Sequence, residues 1–156
     1  MRPKLPVEPA LIGREQQLEQ LLKHLDSASK GHGSTVFIGG EAGVGKTRLV
    51  TEFLRLAKKK EAKALCGWCL SEATVPYFPF TEAFNTYLST MSDARIKTTV
   101  TKHLGITGWL RGPEITREPK TREFFSTPEI ERDRTFEATA TALLDLSAHE
   151  PTILFL

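Results

Sequence analysis

The residues best suited to chemistry form one short glycine-rich segment, GEAGVGKT, at positions 40–47. It satisfies the pattern G-x-x-x-x-G-K-[ST] at every defined position, and loops of this pattern surround the phosphates of a nucleoside triphosphate with main-chain N–H groups. Glycine is needed because the backbone must adopt left-handed angles and approach the phosphates closely. The pattern predicts that Lys46 reaches the β- and γ-phosphates and that the Thr47 hydroxyl ligates Mg²⁺.

The predicted phosphate-binding residues extend one position beyond this loop, into the helix that should follow it. Arg48, at that position, has no fixed role in the pattern. The candidates are Gly40, Glu41, Ala42, Gly43, Val44, Gly45, Lys46, Thr47 and Arg48.

The segments on either side of the loop have the patterns that phosphate binding requires. Residues 35–38 (TVFI), just before it, are β-branched or aromatic, which predicts a short buried parallel strand. From Lys46 onwards apolar residues recur at helical spacing as far as the basic cluster at 58–60. This pattern predicts a helix whose N-terminus adds its partial positive charge to the phosphate site.

The remaining elements follow from the periodicity of the apolar residues. Helices are predicted over Glu15–Ala28 and over about residues 80–88 and 132–148, and strands over about 64–70 and 152–156. Between residues 93 and 128 glycines, prolines and charges predict helical pieces joined by irregular loops. The alternation of helices and strands predicts an α/β fold.

Composition and charge restrict the classes of partner. The chain has 156 residues, 21 basic and 19 acidic side chains and a formal net charge of +2, so its bulk charge does not favour nucleic acid or anionic membranes. No apolar run is long enough to cross a bilayer, and the first residues lack the apolar core of a signal peptide. We therefore expect a cytoplasmic protein with no membrane partner.

The two cysteines, Cys66 and Cys69, form a lone C-x-x-C. A redox pair and half of a zinc site both have this spacing. The four histidines are scattered without metal-ligand spacing, and the surrounding segment ALCGWCL has the pattern of a strand. We expect two ordinary buried thiols, because free cysteine packs as a small apolar side chain.

Several segments besides the loop resemble a known family. They are LIGRE at 11–15, GEAGVGKTRLV at 40–50, GWC at 67–69 and PYFPF at 76–80. Together they resemble the ATPase module of the signal-transduction ATPases with numerous domains, also described as an AAA or origin-recognition-like ATPase domain and found in LuxR-type and MalT-like regulators. The resemblance covers nearly the whole chain. It implies a P-loop NTPase fold, a three-layer αβα arrangement with a parallel sheet, with ATP or ADP and Mg²⁺ as ligands.

The resemblance also implies a role for the segment that begins the first helix. By position, Gly13 and Arg14 are similar to a family segment that lies beside the adenine. The alternative is an ordinary helix start, in which Gly13 forms a turn and Glu15 favours the first helical turn. Both interpretations remain open from the sequence.

One departure from the family concerns the C-terminal end of the chain. Residues 152–156 match the strand that precedes the family's Walker B aspartate, and no aspartate follows them here. We expect residues 1–156 to be the N-terminal part of one ATPase domain, incomplete at the C-terminus. Hydrolysis should be slow or absent, so no catalytic residue is assigned. Marginal stability is also expected, because strand 35–38 would lack a neighbour on one side.

Three functions are compatible with this sequence. The first is a nucleotide-dependent switch whose sensor and effector domains lie elsewhere in the same protein, with ATP-driven homo-oligomerisation as a further possibility. The second is a DNA-linked ATPase, which the near-neutral charge supports little. The third is a non-catalytic remnant that binds nothing tightly.

Overall fold

The structure is a computed structural model that describes residues 11–69, 77–90, 92, 94, 98, 100, 127–148 and 150–156. It divides the chain into two compact units, one ending at Glu61 and one beginning at Ala62. The helical pieces and loops predicted between residues 93 and 128 lie almost entirely outside the described residues. No helix in the described ranges is both long and apolar enough to span a bilayer.

The first unit is built around two helices, α1 (Glu15–Ala28) and α2 (Lys46–Lys59), which contact each other. Each has one apolar stripe, and its buried residues belong to that stripe: Leu21 and Leu25 in α1, and Leu49, Val50 and Ala57 in α2. The predictions of both helices are confirmed. Packing of such stripes is what makes short amphipathic helices stable.

The prediction of a strand at residues 35–38, immediately before the loop, is wrong. Residues 32–41 have no regular secondary structure. Within this segment Val36 is 42% exposed and Phe37 is 93% exposed, so the expected burial is absent as well. A strand exists only when its N–H and C=O groups pair with a neighbouring strand, and the described strands pair only with each other.

The second unit contains a two-stranded parallel sheet and two helices. Strand β1 (Lys63–Cys66) pairs with β2 (Thr152–Phe155), placing Leu65 opposite Leu154. Helix α3 (Phe78–Thr90) contacts β1, and helix α4 (Pro128–Ser147) contacts β2. The structure is thus mixed, mostly helical with a small parallel sheet. It is consistent with part of an α/β fold, whereas the three-layer arrangement is not formed by the described residues.

The core of the second unit lies where these helices meet the sheet. Its largest fully buried side chains are Leu65, Phe84, Val100 and Leu146. The same cluster includes the small residues Ala83 and Ala142. Burial of each of the larger apolar side chains stabilises the folded state by about 1.5–3 kcal/mol.

Two boundaries differ from the sequence prediction for identifiable reasons. β1 ends at Cys66 instead of continuing to residue 70: the Gly67 N–H still donates to the Phe155 carbonyl at 2.8 Å, but the Trp68 N–H donates to Glu82 Oε2 at 2.8 Å. A side chain thus takes the donor that the sheet would need. α4 begins at Pro128 and not near residue 132, because Thr127 caps it and proline suits the first helical position.

Candidate phosphate-binding site

Two glycines with left-handed backbone angles shape the loop between residues 40 and 47. Gly43 has φ of +79° and Gly45 has φ of +92°. A side chain at such angles costs roughly 1–2 kcal/mol, because Cβ approaches the following carbonyl oxygen. Gly45 is also the N-cap residue of α2, and Leu49 donates its N–H to the Gly45 carbonyl at 3.0 Å. The glycine at position 45 therefore turns the loop directly into the helix.

The N-terminus of α2 presents unused hydrogen-bond donors. No side chain caps it, since its N-cap residue is a glycine. Among the residues that the structure describes, none accepts a hydrogen bond from the N–H groups of Gly43, Gly45, Lys46 or Thr47. Unsatisfied N–H groups at a helix N-terminus, together with the helix dipole, favour an anion. The phosphates of a nucleotide fit this donor set.

Lys46 supplies the positive charge of the site. Its Nζ donates to the Gly40 carbonyl at 2.8 Å and to the Glu41 carbonyl at 2.9 Å, so the side chain folds back over the loop that precedes it. An ammonium group has three donors, and these contacts use two. The contacts hold the charge beside the loop, where phosphate oxygens could replace the carbonyls as acceptors.

The Thr47 hydroxyl is available to a ligand. The residue is exposed, and no described residue hydrogen-bonds to its side-chain oxygen. Its carbonyl, in contrast, accepts from the Thr51 hydroxyl at 2.8 Å within α2. A hydroxyl oxygen is a suitable ligand for Mg²⁺, which prefers oxygen donors.

The other candidate residues form the outer part of the loop. Glu41, Ala42 and Val44 are exposed, and the Val44 N–H faces the Glu41 carbonyl at 3.4 Å. Arg48 is half-buried on α2. The hydrogen bond from Arg55 is the largest cause that lowers the pKa of the Glu52 carboxyl, and the charge of Arg48 acts in the same direction.

The segment before α1 meets the loop through a contact that the sequence did not predict. Arg14 Nη2 donates to the Val44 carbonyl at 3.0 Å. Beside it, Gly13 has φ of +75° and donates its N–H to Glu15 Oε1 at 3.0 Å. The backbone N–H of Glu15, and then that of Gly13, lower the pKa of the Glu15 carboxyl. Because 30 residues separate Arg14 from Val44, no local pattern could indicate this contact.

The two cysteines are free thiols in different surroundings. Cys66 is half-buried at the end of β1, and burial raises the pKa of its thiol. Cys69 is exposed, so the prediction of two buried thiols is wrong for it: the chain has left the sheet before position 69. Within the described ranges, no group of three or more His, Cys, Asp or Glu side chains could hold a metal ion.

Comparison with known proteins identifies the type of module to which this loop belongs. A family model described as AAA ATPase domain matches residues 10–156, which is nearly all of the chain. The chain belongs to the AAA ATPase domain family. The AAA ATPase domain is a P-loop module whose ligand is a nucleotide, in agreement with the glycine-rich loop and the donors at the start of α2.

The AAA ATPase domain described here is also similar to an uncharacterized protein of Rhizobium meliloti (strain 1021). The two are 42% identical over 60 residues. That segment is 38% of this chain and 6% of the bacterial protein, so the chain spans a small fraction of the length of this relative. No solved structure matches the chain at a significant level.

Proposed function

We propose that this AAA ATPase domain binds ATP with Mg²⁺ through residues 40–47 and acts as a nucleotide-dependent switch within a larger regulatory protein. The observation that supports the site most directly is the set of unsatisfied N–H groups at Gly43, Gly45, Lys46 and Thr47, with the Lys46 ammonium beside them. Donors and charge converge on one short loop, which is the arrangement that a polyphosphate requires.

We assign a role to each residue of the loop, guided by the sequence pattern. The N–H groups of the loop hold the phosphate oxygens, and Lys46 exchanges the carbonyls of Gly40 and Glu41 for the β- and γ-phosphates. Thr47 holds Mg²⁺, which when bound neutralises phosphate charge. Because Lys46 leaves protein acceptors to contact the ligand, ligand binding changes the internal hydrogen bonds of the loop.

The switch and its family setting rest on sequence similarity. The segments at 11–15, 40–50, 67–69 and 76–80 resemble the signal-transduction ATPases with numerous domains. In the bacterial relative the matching segment is 6% of a much longer protein. A protein that connects sensor and effector domains to one nucleotide-binding module would be much longer than that module. A cytoplasmic location and ATP-driven self-association belong to the same proposal.

Titration with a fluorescent ATP analogue tests the site. Lys46→Ala should weaken binding about tenfold to a hundredfold, since hydrogen bonds to charged groups contribute about 1.5–3 kcal/mol. The far-UV circular dichroism should stay unchanged, because the described hydrogen bonds of the Lys46 side chain go to loop carbonyls and not to a helix or strand. Lys58→Ala, an exposed lysine in the last turn of the same helix, is the matched control and should bind as the unaltered chain does. Equal affinity of the Lys46 and Lys58 variants would refute the site.

The switch needs its own test. Limited proteolysis of the chain with Mg²⁺-ATP and with Mg²⁺-ADP should give different cleavage rates, because a switch must distinguish the two ligands. Identical cleavage patterns at saturating concentrations of both would leave nucleotide binding standing and reject the switch.

A further inference from the structure

We propose that Arg14 is a positioning residue of the phosphate loop, acting through its hydrogen bond to the Val44 carbonyl, and that it does not recognise the adenine. The proposal rests on the proposed function and concerns how the same site keeps its shape. It departs from the role that family resemblance gives to this position. The structure provides three separate observations for it.

The first observation is the peptide group that Arg14 holds. Val44 lies between Gly43 and Gly45, whose φ angles are +79° and +92°. Glycine has little rotational restriction, so a peptide group in such a sequence can rotate between alternative orientations at small cost. The 3.0 Å contact between Arg14 Nη2 and the Val44 oxygen selects one of these orientations.

The second observation is the donor on the other side of that peptide group. A trans peptide is planar, with its C=O and N–H pointing in opposite directions. The Val44 carbonyl and the Gly45 N–H belong to the same peptide, so fixing the carbonyl towards Arg14 directs the Gly45 N–H away from it. No described residue accepts from that N–H. Arg14 thus orients a donor that is left for the ligand.

The third observation is the way in which Arg14 itself is fixed. Its backbone is the N-cap of α1, with φ of −130°, and its carbonyl accepts from the Leu18 N–H at 3.0 Å. Beside it the Gly13 N–H is held by Glu15 Oε1 at 3.0 Å. The guanidinium therefore extends from the start of α1, a helix that contacts α2. The backbone that carries the guanidinium is thus held, and the rigid planar guanidinium itself loses little entropy for each hydrogen bond that it forms.

The two possible roles of Arg14 predict different ligand dependence. A residue that orients the loop affects the binding of phosphates. Its replacement should therefore weaken the binding of ATP and of inorganic tripolyphosphate by the same factor. A residue that contacts adenine should affect ATP and leave tripolyphosphate unchanged. Both ligands are measured by isothermal titration calorimetry on the 156-residue chain, at one Mg²⁺ concentration and one ionic strength.

Arg14→Gln is the decisive variant, and Arg55→Gln is its matched control. Arg55 is exposed on α2 and pairs with Glu52, so that variant makes the same charge change away from the loop. We expect Arg14→Gln to lower the affinity for both ligands about tenfold, which is the effect of losing one hydrogen bond of ordinary to charge-assisted strength. Arg55→Gln should leave both affinities within about twofold of the unaltered chain.

Arg14→Lys separates positioning from folding. It keeps the charge and one donor, so it should fold even if Arg14→Gln does not, and it should weaken both ligands by one common, smaller factor. Weaker ATP binding with unchanged tripolyphosphate binding, in either variant, would overturn the inference in favour of adenine contact. Unchanged affinity for both ligands would overturn it too. Failure of the site itself is recognised separately, because Lys46→Ala would then bind as tightly as the unaltered chain.

Discussion

Replacement of Gly67 by alanine should destabilise the second unit of this AAA ATPase domain strongly. Gly67 is buried just beyond β1, and a Cβ atom at its position would lie 1.9 Å from the Pro79 carbonyl oxygen and 2.7 Å from the Pro79 carbonyl carbon. These are backbone atoms of α3, so no rotation of a side chain relieves the contact. The strand end and the helix must separate by about 1 Å or more, and closely packed interiors resist such shifts.

The expected cost has two parts. Overpacking of a well-packed interior costs about 1–3 kcal/mol. The same shift strains the 2.8 Å hydrogen bond from the Gly67 N–H to the Phe155 carbonyl, and loss of one such bond costs about 1 kcal/mol more. The free energy of unfolding should therefore fall by about 2–4 kcal/mol. Whole domains are stable by only about 5–15 kcal/mol, so the variant should be markedly less stable.

Urea unfolding followed by far-UV circular dichroism measures this change. At a dependence of about 2 kcal/mol per molar urea, within the usual range for small proteins, the midpoint should fall by roughly 1–2 M. Gly33→Ala is the matched control, because a Cβ atom there meets nothing within 4 Å and the backbone angle is not left-handed. It should change stability by no more than about 1 kcal/mol, in the stabilising direction. If Gly67→Ala unfolds at the same urea concentration as Gly33→Ala, the close approach of β1 and α3 described here is refuted.

Three further predictions concern the loop and the thiols. Thr47→Ala should bind ATP without Mg²⁺ as before but lose the gain in affinity on adding Mg²⁺; a retained gain in calorimetric titrations would exclude Thr47 as a metal ligand. Gly45→Ala should weaken ATP binding about tenfold, because a residue with a Cβ atom is strained by roughly 1–2 kcal/mol at a φ of +92°. Unchanged affinity would show that the loop tolerates another shape. Iodoacetamide at pH 8 should modify exposed Cys69 before Cys66, whose thiol pKa is raised by burial, and peptide mass spectrometry showing the reverse order would contradict this.

The helices of the first unit were predictable because their signals are local. The apolar stripe of Glu15–Ala28 and the stripe that follows Lys46 are each complete within one segment of sequence, and both helices have these bounds within a residue or two. The start of α4 was misplaced although its signal is local too. Thr127 followed by Pro128 marks a helix start, and the apolar pattern that suggested residue 132 is a weaker indicator.

The backbone shape of the loop was predictable from the motif, whereas its contacts were less so. The motif indicated the left-handed angles of Gly43 and Gly45, since close approach of the backbone to a phosphate requires glycine there. It could not indicate that Lys46 donates to the carbonyls of Gly40 and Glu41, because the pattern describes the loop with its ligand. The contact of Arg14 with Val44 depends on how α1 packs beside α2, which no local sequence pattern specifies.

The two segments predicted as strands before and after α2 show why strand composition alone was insufficient. Residues 35–38 (TVFI) have higher strand propensity than Lys63–Cys66 (KALC), yet only the second segment forms a strand. β1 has β2 as a partner, with Lys63 opposite Thr152 and Cys66 opposite Phe155. No described strand pairs with residues 35–38, and Phe37 is 93% exposed. Because each backbone donor and acceptor needs a partner, a neighbouring strand decided the outcome and propensity did not.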